Sequence, residues 1–303
     1  MPKPSKIQKN SPAALRLIAP ALRATQAVSP HAAAAIAERL FFRAPSAKVS
    51  ARGREFLDRG ERFERMVDGR RVVGWTWGAG PTAYLVHGWG GSSGRLYSLG
   101  EALIQSGRRL VMFDAPGHGA SGGGLSSMPE FARSLQSVVD TSGEPDVVVA
   151  HSLGAAATAL AASWGLTARR FVFIAPAANP AEWALAFGNM LRLTPEVMQR
   201  LRSRSERRLR FNWDDLDARV HARRMSAPLL VIHDRGDDTV PFSNGTEIAN
   251  SWPGAKLEET SGLGHRDILR DPRVISHVLR FITDGRTHPT ATAGVQGNTT
   301  APA

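Results

Sequence analysis

The chain has 303 residues, 42% of them hydrophobic, and this length can bury the core of one α/β domain with an inserted subdomain. Its lack of cysteine excludes disulfides, thiolate catalysis and cysteine-based zinc sites. The net charge of +11 is concentrated in residues 1–59, with 11 Lys and Arg against 3 Asp and Glu, and in residues 177–227, with 10 against 6. Because the rest is nearly neutral, we expect no specific nucleic-acid binding and at most a weak contact of the basic N-terminal arm with an anionic membrane surface.

The two ends of the chain show little of the apolar periodicity that is typical of buried elements. In the arm, residues 1–59, a helix is predicted from about His31 to Phe42, before Pro45. Residues 285–303 contain Thr, Ala, Gly and Pro without apolar periodicity and predict a disordered tail. No apolar run approaches the roughly 20 residues of a membrane span, and no leader-like apolar core follows the first lysines, so a cytoplasmic location is expected.

Strands and helices alternate between residues 60 and 176 and again between residues 228 and 284. A hairpin is predicted around the turn Asp68-Gly69, which tolerates positive φ. The further predicted strands are 83–86, 109–113, 147–150, 170–174, 228–233 and 256–259, and the predicted helices are 95–105, 129–139, 153–164 and 272–282. This alternation predicts an α/β fold with a mostly parallel, doubly wound sheet, which binds ligands at the carboxyl ends of its strands.

One strand ends abruptly in a turn that carries a serine. The sequence 146–155 passes from four apolar residues through His-Ser-Leu-Gly into an Ala-rich helix. Small residues stand two positions to either side of Ser152, at Ala150 and Gly154, as a cramped turn requires. The turn predicts a hydroxyl that stands clear of the sheet, with the amide of Leu153 at the helix N-terminus directed into the same space. A simple N-cap role for Ser152 is the alternative.

Residues 177–227 interrupt the alternation. They predict helices at about 181–191 and 194–210 and no clear strand, which indicates a helical cap insertion. Three aromatic residues within it, Trp183, Phe187 and Trp213, are predicted either to form the small core of the cap or to line an acyl pocket.

Two polar loops follow the last strands. Residues 234–241 contain Asp237 and Asp238, and residues 262–265 end in His265, so that the chain order is Ser, Asp, His. This order, the glycine-rich loop 87–91 and the serine turn resemble the α/β-hydrolase fold superfamily over roughly residues 60–284.

The resemblance implies a role for five residues. Ser152 would be the nucleophile, His265 the general base, and Asp237 the carboxylate that orients the imidazole. The backbone amides of Trp89 and Leu153 would form the oxyanion hole.

Two positions depart from the family pattern. Ala150 replaces the first glycine of Gly-x-Ser-x-Gly, and Asp234 replaces the glycine that usually opens the acid loop. Spacing to Val240-Pro241 selects Asp237, and Asp238 is the alternative acid. Of the other polar residues, His151 is expected to point away from Ser152, whereas His87, His118 and Asp114 are expected to brace local backbone.

The predicted function is a serine hydrolase that cleaves a carboxylic ester of a small or medium acyl group through an acyl-enzyme. Thioesterase, lactonase, amidase, C–C bond hydrolase and cofactor-free haloperoxidase activities remain open, because the fold does not choose among them. A non-catalytic ligand receptor on the same scaffold is the alternative from another class. The triad needs no metal or cofactor, so we expect none, and the sequence indicates no oligomeric state.

Overall fold

The structure is a computed structural model that describes residues 13–45 and 48–284, with side chains from residue 18 onward. The predicted tail, residues 285–303, lies outside the described residues. In the described part, one eight-stranded sheet has the order β1-β2-β4-β3-β5-β6-β7-β8. The strands are β1 (Glu61–Val67), β2 (Arg70–Trp77), β3 (Thr82–Val86), β4 (Arg109–Asp114), β5 (Val147–His151), β6 (Arg170–Ile174), β7 (Leu229–Asp234) and β8 (Lys256–Thr260).

The pairing of the strands confirms the mostly parallel sheet. β1 and β2 form the predicted hairpin, and β2 pairs antiparallel with β4. All other neighbours pair in parallel, so the loops after β3 to β8 meet at one edge. At the hairpin turn, Asp68 and Gly69 have φ of +48° and +73°, the left-handed values for which Asp-Gly is suited.

Helices cover both faces of the sheet. Along the chain the α-helices are α1 (Ala13–Val28), α2 (Pro30–Phe42), α3 (Ala51–Asp58), α4 (Tyr97–Gln105), α5 (Met128–Ser142), α6 (Leu153–Ser163), α7 (Pro180–Leu191), α8 (Pro195–Leu209), α9 (Ala218–Ala222), α10 (Phe242–Ser251), α11 (Gly264–Asp267) and α12 (Pro272–Thr283). Short 3₁₀ turns occupy Ser93–Leu96 and Trp213–Leu216. Between β6 and β7 the chain forms helices and no strand, as the sequence predicts.

Alternate residues of the strands bury two separate apolar cores. In β5, Val148 and Ala150 belong to the core under α5 and α6, whereas Val147 and Val149 belong to the core under α4 and α12. Strands buried on both faces explain why the sequence shows continuous apolar runs instead of alternation.

Five helices have no counterpart among the predicted elements: the short α9 and α11, and three longer ones. In α1, Pro20 gives the appearance of a break, although one proline removes only one helical hydrogen bond. In α3, Gly53 lowers helical propensity, but a Cβ there would lie 2.2 Å from the carbonyl oxygen of Gly94, so close packing requires the glycine. The third is α10. No helix in the described residues is long and apolar enough to cross a membrane.

The N-terminal helices pack on the insertion. Glu38 of α2 is 5% exposed, and its carboxylate accepts hydrogen bonds from Arg204 at 3.1 Å and Arg208 at 2.8 Å on α8. Gln26 of α1 donates to the carbonyl of Arg192 and accepts from the amide of Thr194, in the α7–α8 turn. The basic residues of the insertion thus hold the N-terminal helices in place.

Candidate active site

Ser152 occupies a strained corner between β5 and α6. Its φ of +55° and ψ of −123° are unfavourable for a residue with a Cβ, and its amide donates to the carbonyl of Ile174 at 3.0 Å. The corner is tightly packed, because a Cβ on Gly154 would lie 2.4 Å from the carbonyl oxygen of His87. Ala150 is fully buried, so its methyl fits where the family pattern has glycine. Ser152 makes no side-chain cap bond to α6, which argues against the simple N-cap role.

Three residues far apart in sequence meet at this corner. The Nε2 of His265 lies 3.1 Å from the Oγ of Ser152, and its Nδ1 lies 2.7 Å from Oδ2 of Asp237. His265 stands on α11, directly after β8, and Asp237 stands in the loop after β7. Both distances are within hydrogen-bonding range, so Nδ1–H donates to the carboxylate and Nε2 accepts from the hydroxyl.

The carboxylate of Asp237 is held as an anion. Its Oδ1 accepts from the amides of Thr239 and Val240, each at 2.8 Å. Burial raises the pKa of Asp237, but hydrogen bonds with His233 and His265 outweigh this effect and hold the pKa well below its ordinary value. Asp238 is exposed and accepts from the hydroxyl of Thr239, so Asp237 is the acid that faces the imidazole.

Two residues that support this arrangement were not predicted. The Nε2 of His233 lies 3.3 Å from Oδ2 of Asp237 and 3.2 Å from the carbonyl of Val240. Asp234 accepts from the amide of Leu263 at 3.0 Å, and from Gly236 and Thr260 at 2.8 Å. Asp234 therefore ties the acid loop to the loop that carries His265. Its departure from the family glycine was the available signal, but its partners could not be inferred from sequence.

His151, which was expected to point away from Ser152, contacts His265. Its Nε2–H donates to the carbonyl of His265 at 3.0 Å, and the two rings are 4.6 Å apart. As the last residue of β5, it shares the face of Val147 and Val149, on which α11 packs. Burial, and then the nearby His265, lower the pKa of His151 well below its ordinary value, so a neutral ring supports the imidazole.

The loop 87–91 lies against Ser152 and is braced as expected. A Cβ on Gly88 would stand 2.7 Å from the Cβ of Ser152, so only glycine permits this approach. His87 donates to the carbonyl of Gly88 and accepts from Ala115, and His118 accepts from the amide of Gly90.

Burial keeps His87 and His118, which brace this loop, uncharged. Burial lowers the pKa of His87 to about 4, and burial together with His87 lowers that of His118 to about 3. Asp114 accepts from Ser93 at 2.6 Å and from Ala120 at 2.8 Å. Within the described residues, the amides of Trp89 and Leu153 have no hydrogen-bond acceptor in the protein, so both are available to a ligand.

A cavity of about 970 Å³ opens over Ser152 and His265. The three aromatic residues singled out in the insertion, Trp183, Phe187 and Trp213, all line it. Trp213 also donates to the hydroxyl of Ser205 at 2.9 Å, so it serves both the core of the insertion and the cavity wall. No group of three or more potential metal ligands occurs in the part of the chain that the structure describes.

The N-terminal arm contributes an unpredicted part of this wall. Leu40 and Phe41 of α2 line the cavity, and the ring of Phe41 lies 5.3 Å from that of Phe187 and 6.3 Å from that of Trp213. We call residues 18–45 and 180–216 together the roof. The loops at the carboxyl ends of β3, β4, β5, β7 and β8 form the floor.

Comparisons with known proteins identify the fold. The sequence matches the family model described as alpha/beta hydrolase fold over residues 81–210. Among solved structures, an esterase from Rhodococcus sp. ECU1013 is 21% identical with a TM-score of 0.55, and the match covers 73% of this chain and 98% of that one. A Pyrococcus furiosus esterase is 17% identical with a TM-score of 0.61, covering 80% and 98%.

A third structure, a putative lipase from Acinetobacter baumannii AYE, is 17% identical with a TM-score of 0.58, covering 78% of this chain and 97% of that one. No curated protein matches the sequence. The sheet order, the serine corner and these similarities agree, and the chain has the α/β-hydrolase fold.

Proposed function

We propose that the protein is a serine hydrolase that cleaves carboxylic esters of small or medium acyl groups. The observation that carries the proposal is the connected series of hydrogen bonds Ser152–His265–Asp237 beneath an apolar cavity. The names of the similar structures, two esterases and a lipase, agree with this chemistry. In this proposal residues 177–227 form a cap on the core.

The mechanism follows from the orientation of the three side chains. The Oγ of Ser152 attacks the ester carbonyl while Nε2 of His265 takes the hydroxyl proton. The imidazolium is stabilised by the anionic Asp237, and then gives its proton to the departing alcohol. Water, deprotonated by His265, attacks the acyl-enzyme, and the proton returns to Ser152 as the acid leaves.

The negatively charged oxygen of each tetrahedral intermediate must be stabilised by hydrogen-bond donors that lie next to Ser152. The amides of Trp89 and Leu153 have this role in our proposal, since the approach of Gly88 to Ser152 brings the two backbones together. Fixed donors of this kind typically contribute about 3 kcal/mol each to transition-state stabilisation.

The first test is turnover of p-nitrophenyl esters from acetate to decanoate by the native protein and Ser152→Ala. We expect turnover with a preference set by chain length, and its loss in Ser152→Ala. Ser163→Ala, a change at the far end of α6, is the matched control and retains activity. Tight binding of the acyl compounds without turnover would reject the enzyme in favour of a ligand receptor.

A further inference from the structure

The mouth of the cavity is cationic and lacks acidic side chains. Among the described residues that line the cavity, none is Asp or Glu and five are basic: Arg43, Lys48, Arg95, Arg266 and Arg270. Every Asp and Glu of the chain lies within the described residues, so the undescribed segments supply no acidic side chain to neutralise them. A cleft lined by one sign of charge attracts ligands of the opposite sign.

Three of these residues stand on the segments that hold the reaction centre. Arg266 directly follows His265, and Arg270 lies about one turn further on. Arg95 lies in the 3₁₀ turn after the loop 87–91. Within residues 13–45 and 48–284 none of the three forms an ion pair, and Asp267, between two of them in sequence, pairs with neither.

The three arginines also act on one another. Arg95 is half-buried, and burial, followed by the charges of Arg266 and Arg270, lowers its pKa. Like charges held together raise the free energy of the empty site, and an anion placed among them relieves this repulsion. By contrast, Arg202 and Arg219, outside the cavity, each pair with carboxylates.

Much of the remaining cavity wall is apolar. Phe41, Phe187, Met190, Trp213 and Leu216 line it, and they suit a hydrocarbon chain and not a charged group. The cavity therefore combines apolar side chains with cations that are mostly exposed, and Ser152 lines the same cavity.

We propose that the substrate is an anionic ester, in which an apolar acyl chain enters the cavity and the leaving group carries a phosphate, sulfonate or carboxylate bound by Arg95, Arg266 and Arg270. This inference rests on the proposed hydrolase function and adds the substrate class. The acyl chain and the anion lie on opposite sides of the scissile bond, so one bound molecule presents its carbonyl to Ser152.

The test compares two esters of the same size. The hexanoyl ester of 4-hydroxybenzenesulfonate carries the anion, and the ester of 4-hydroxybenzenesulfonamide is its neutral counterpart with a phenol of similar acidity. We expect kcat/KM to be at least about tenfold higher for the sulfonate at low ionic strength, and the ratio to shrink in 0.5 M salt because of screening. Equal kcat/KM values for the two esters at low salt would overturn the proposal.

Variants assign the preference to the three arginines. Arg95→Gln, Arg266→Gln and Arg270→Gln each lower the sulfonate-to-sulfonamide ratio by about threefold, and the triple variant brings it to about one. Arg280→Gln removes the same charge from an exposed position at the other end of α12 and leaves the ratio unchanged. A ratio that survives in the folded triple variant would place the anion elsewhere and reject the site.

A second substrate pair identifies the source of the anion. Dihexanoylglycerol phosphate and dihexanoylglycerol are compared below their critical micelle concentrations. A preference for the phosphate in this pair, in addition to the preference in the aryl pair, supports the site and assigns it to a lipid headgroup, whereas a preference in the aryl pair alone assigns it to small soluble esters.

A binding measurement tests the anion site independently of the hydrolase proposal. The hexanamide analogues of the two aryl esters are titrated by calorimetry into Ser152→Ala, whose folding is checked by its melting temperature. Tighter binding of the sulfonate by at least about tenfold supports the anion site even if neither ester is hydrolysed. Equal affinities would reject the site even if both esters are turned over.

Discussion

The floor and the roof of the cavity are built by different means. In the floor, polar side chains are fixed by backbone hydrogen bonds, as with the two amides that bind Asp237 and the amide of Leu263 that binds Asp234. In the roof, apolar side chains pack together around the ion pairs of Glu38. In the proposed hydrolase, the floor would determine the chemistry and the roof would select the acyl group.

The largest effect is expected where the floor holds its carboxylate. Asp237→Asn should lower kcat by about 10³- to 10⁴-fold, because an amide donor facing Nδ1 favours the wrong tautomer of His265. Asp238→Asn, one residue away and exposed, should change kcat by less than about threefold. Ester kinetics on both variants test this, and the reverse pattern would transfer the role to Asp238.

Acidic pH should destabilise the floor. The pKa of His87 is about 4 in the folded protein, below its ordinary value of 6.5, so the unfolded chain binds more protons between these values. The contribution of the neutral His87 to the free energy of unfolding is fully present above pH 6.5. About 3 kcal/mol of it is lost as pH falls toward 4. His118 acts in the same direction.

Urea unfolding between pH 7.5 and 4.5 measures this loss. His118→Gln should show a weaker pH dependence than the native protein, and Gln105→Ala, a change at an exposed position without a titratable group, should not alter it. A free energy of unfolding that is flat across this range would contradict the neutral state of the buried histidines.

Asp234 belongs to the floor, but we expect it to act on the site only through the groups that it binds. Asp234→Ala leaves the amides of Gly236 and Leu263 without their acceptor, and we expect kcat to fall about tenfold with KM nearly unchanged. Glu259→Ala, which removes an exposed partner of Arg235 from β8, is the control. If KM rose while kcat stayed constant, Asp234 would not be a positioning residue.

A substitution in the roof should change the preference for acyl chain length and leave the catalytic step nearly unchanged. Phe41→Ala should lower kcat/KM for octanoyl esters by about tenfold, since a truncated aromatic ring buries less of the acyl chain. Acetyl esters should change by less than about twofold. Ile36→Ala, at a position on α2 that is 41% exposed, should affect neither. A uniform loss for all chain lengths would remove the distinction between roof and floor.

How much the sequence predicts also differs between the two regions. The floor could be predicted because each loop follows a buried strand, and parallel strands bring their carboxyl ends together. Ser152, Asp237 and His265 meet for that reason. Their supports, His233 and Asp234, could not be predicted, because their partners lie on loops whose relative position depends on the whole sheet.

The roof was less predictable from sequence. The helices at Pro30–Phe42 and Pro195–Leu209 were each predicted within a residue. Their pairing was not predicted, since the contact of Glu38 with Arg204 and Arg208 spans more than 160 residues. Trp213 was predicted either to lie in the small core of the insertion or to line a pocket, and it does both. Its indole N–H donates to Ser205 within the insertion, and the residue also lines the cavity. Helical periodicity indicates which side of a helix is apolar, but not what covers it.

The central claim is that Ser152 is an activated nucleophile, and covalent trapping tests it most directly. The protein is incubated with a fluorophosphonate, and the adduct is located by peptide mass spectrometry in the native chain and in His265→Ala. We expect one adduct, on Ser152, formed at least about a hundredfold more slowly in His265→Ala. An adduct on another residue, or ester turnover by a protein in which residue 152 stays unlabelled, would contradict it.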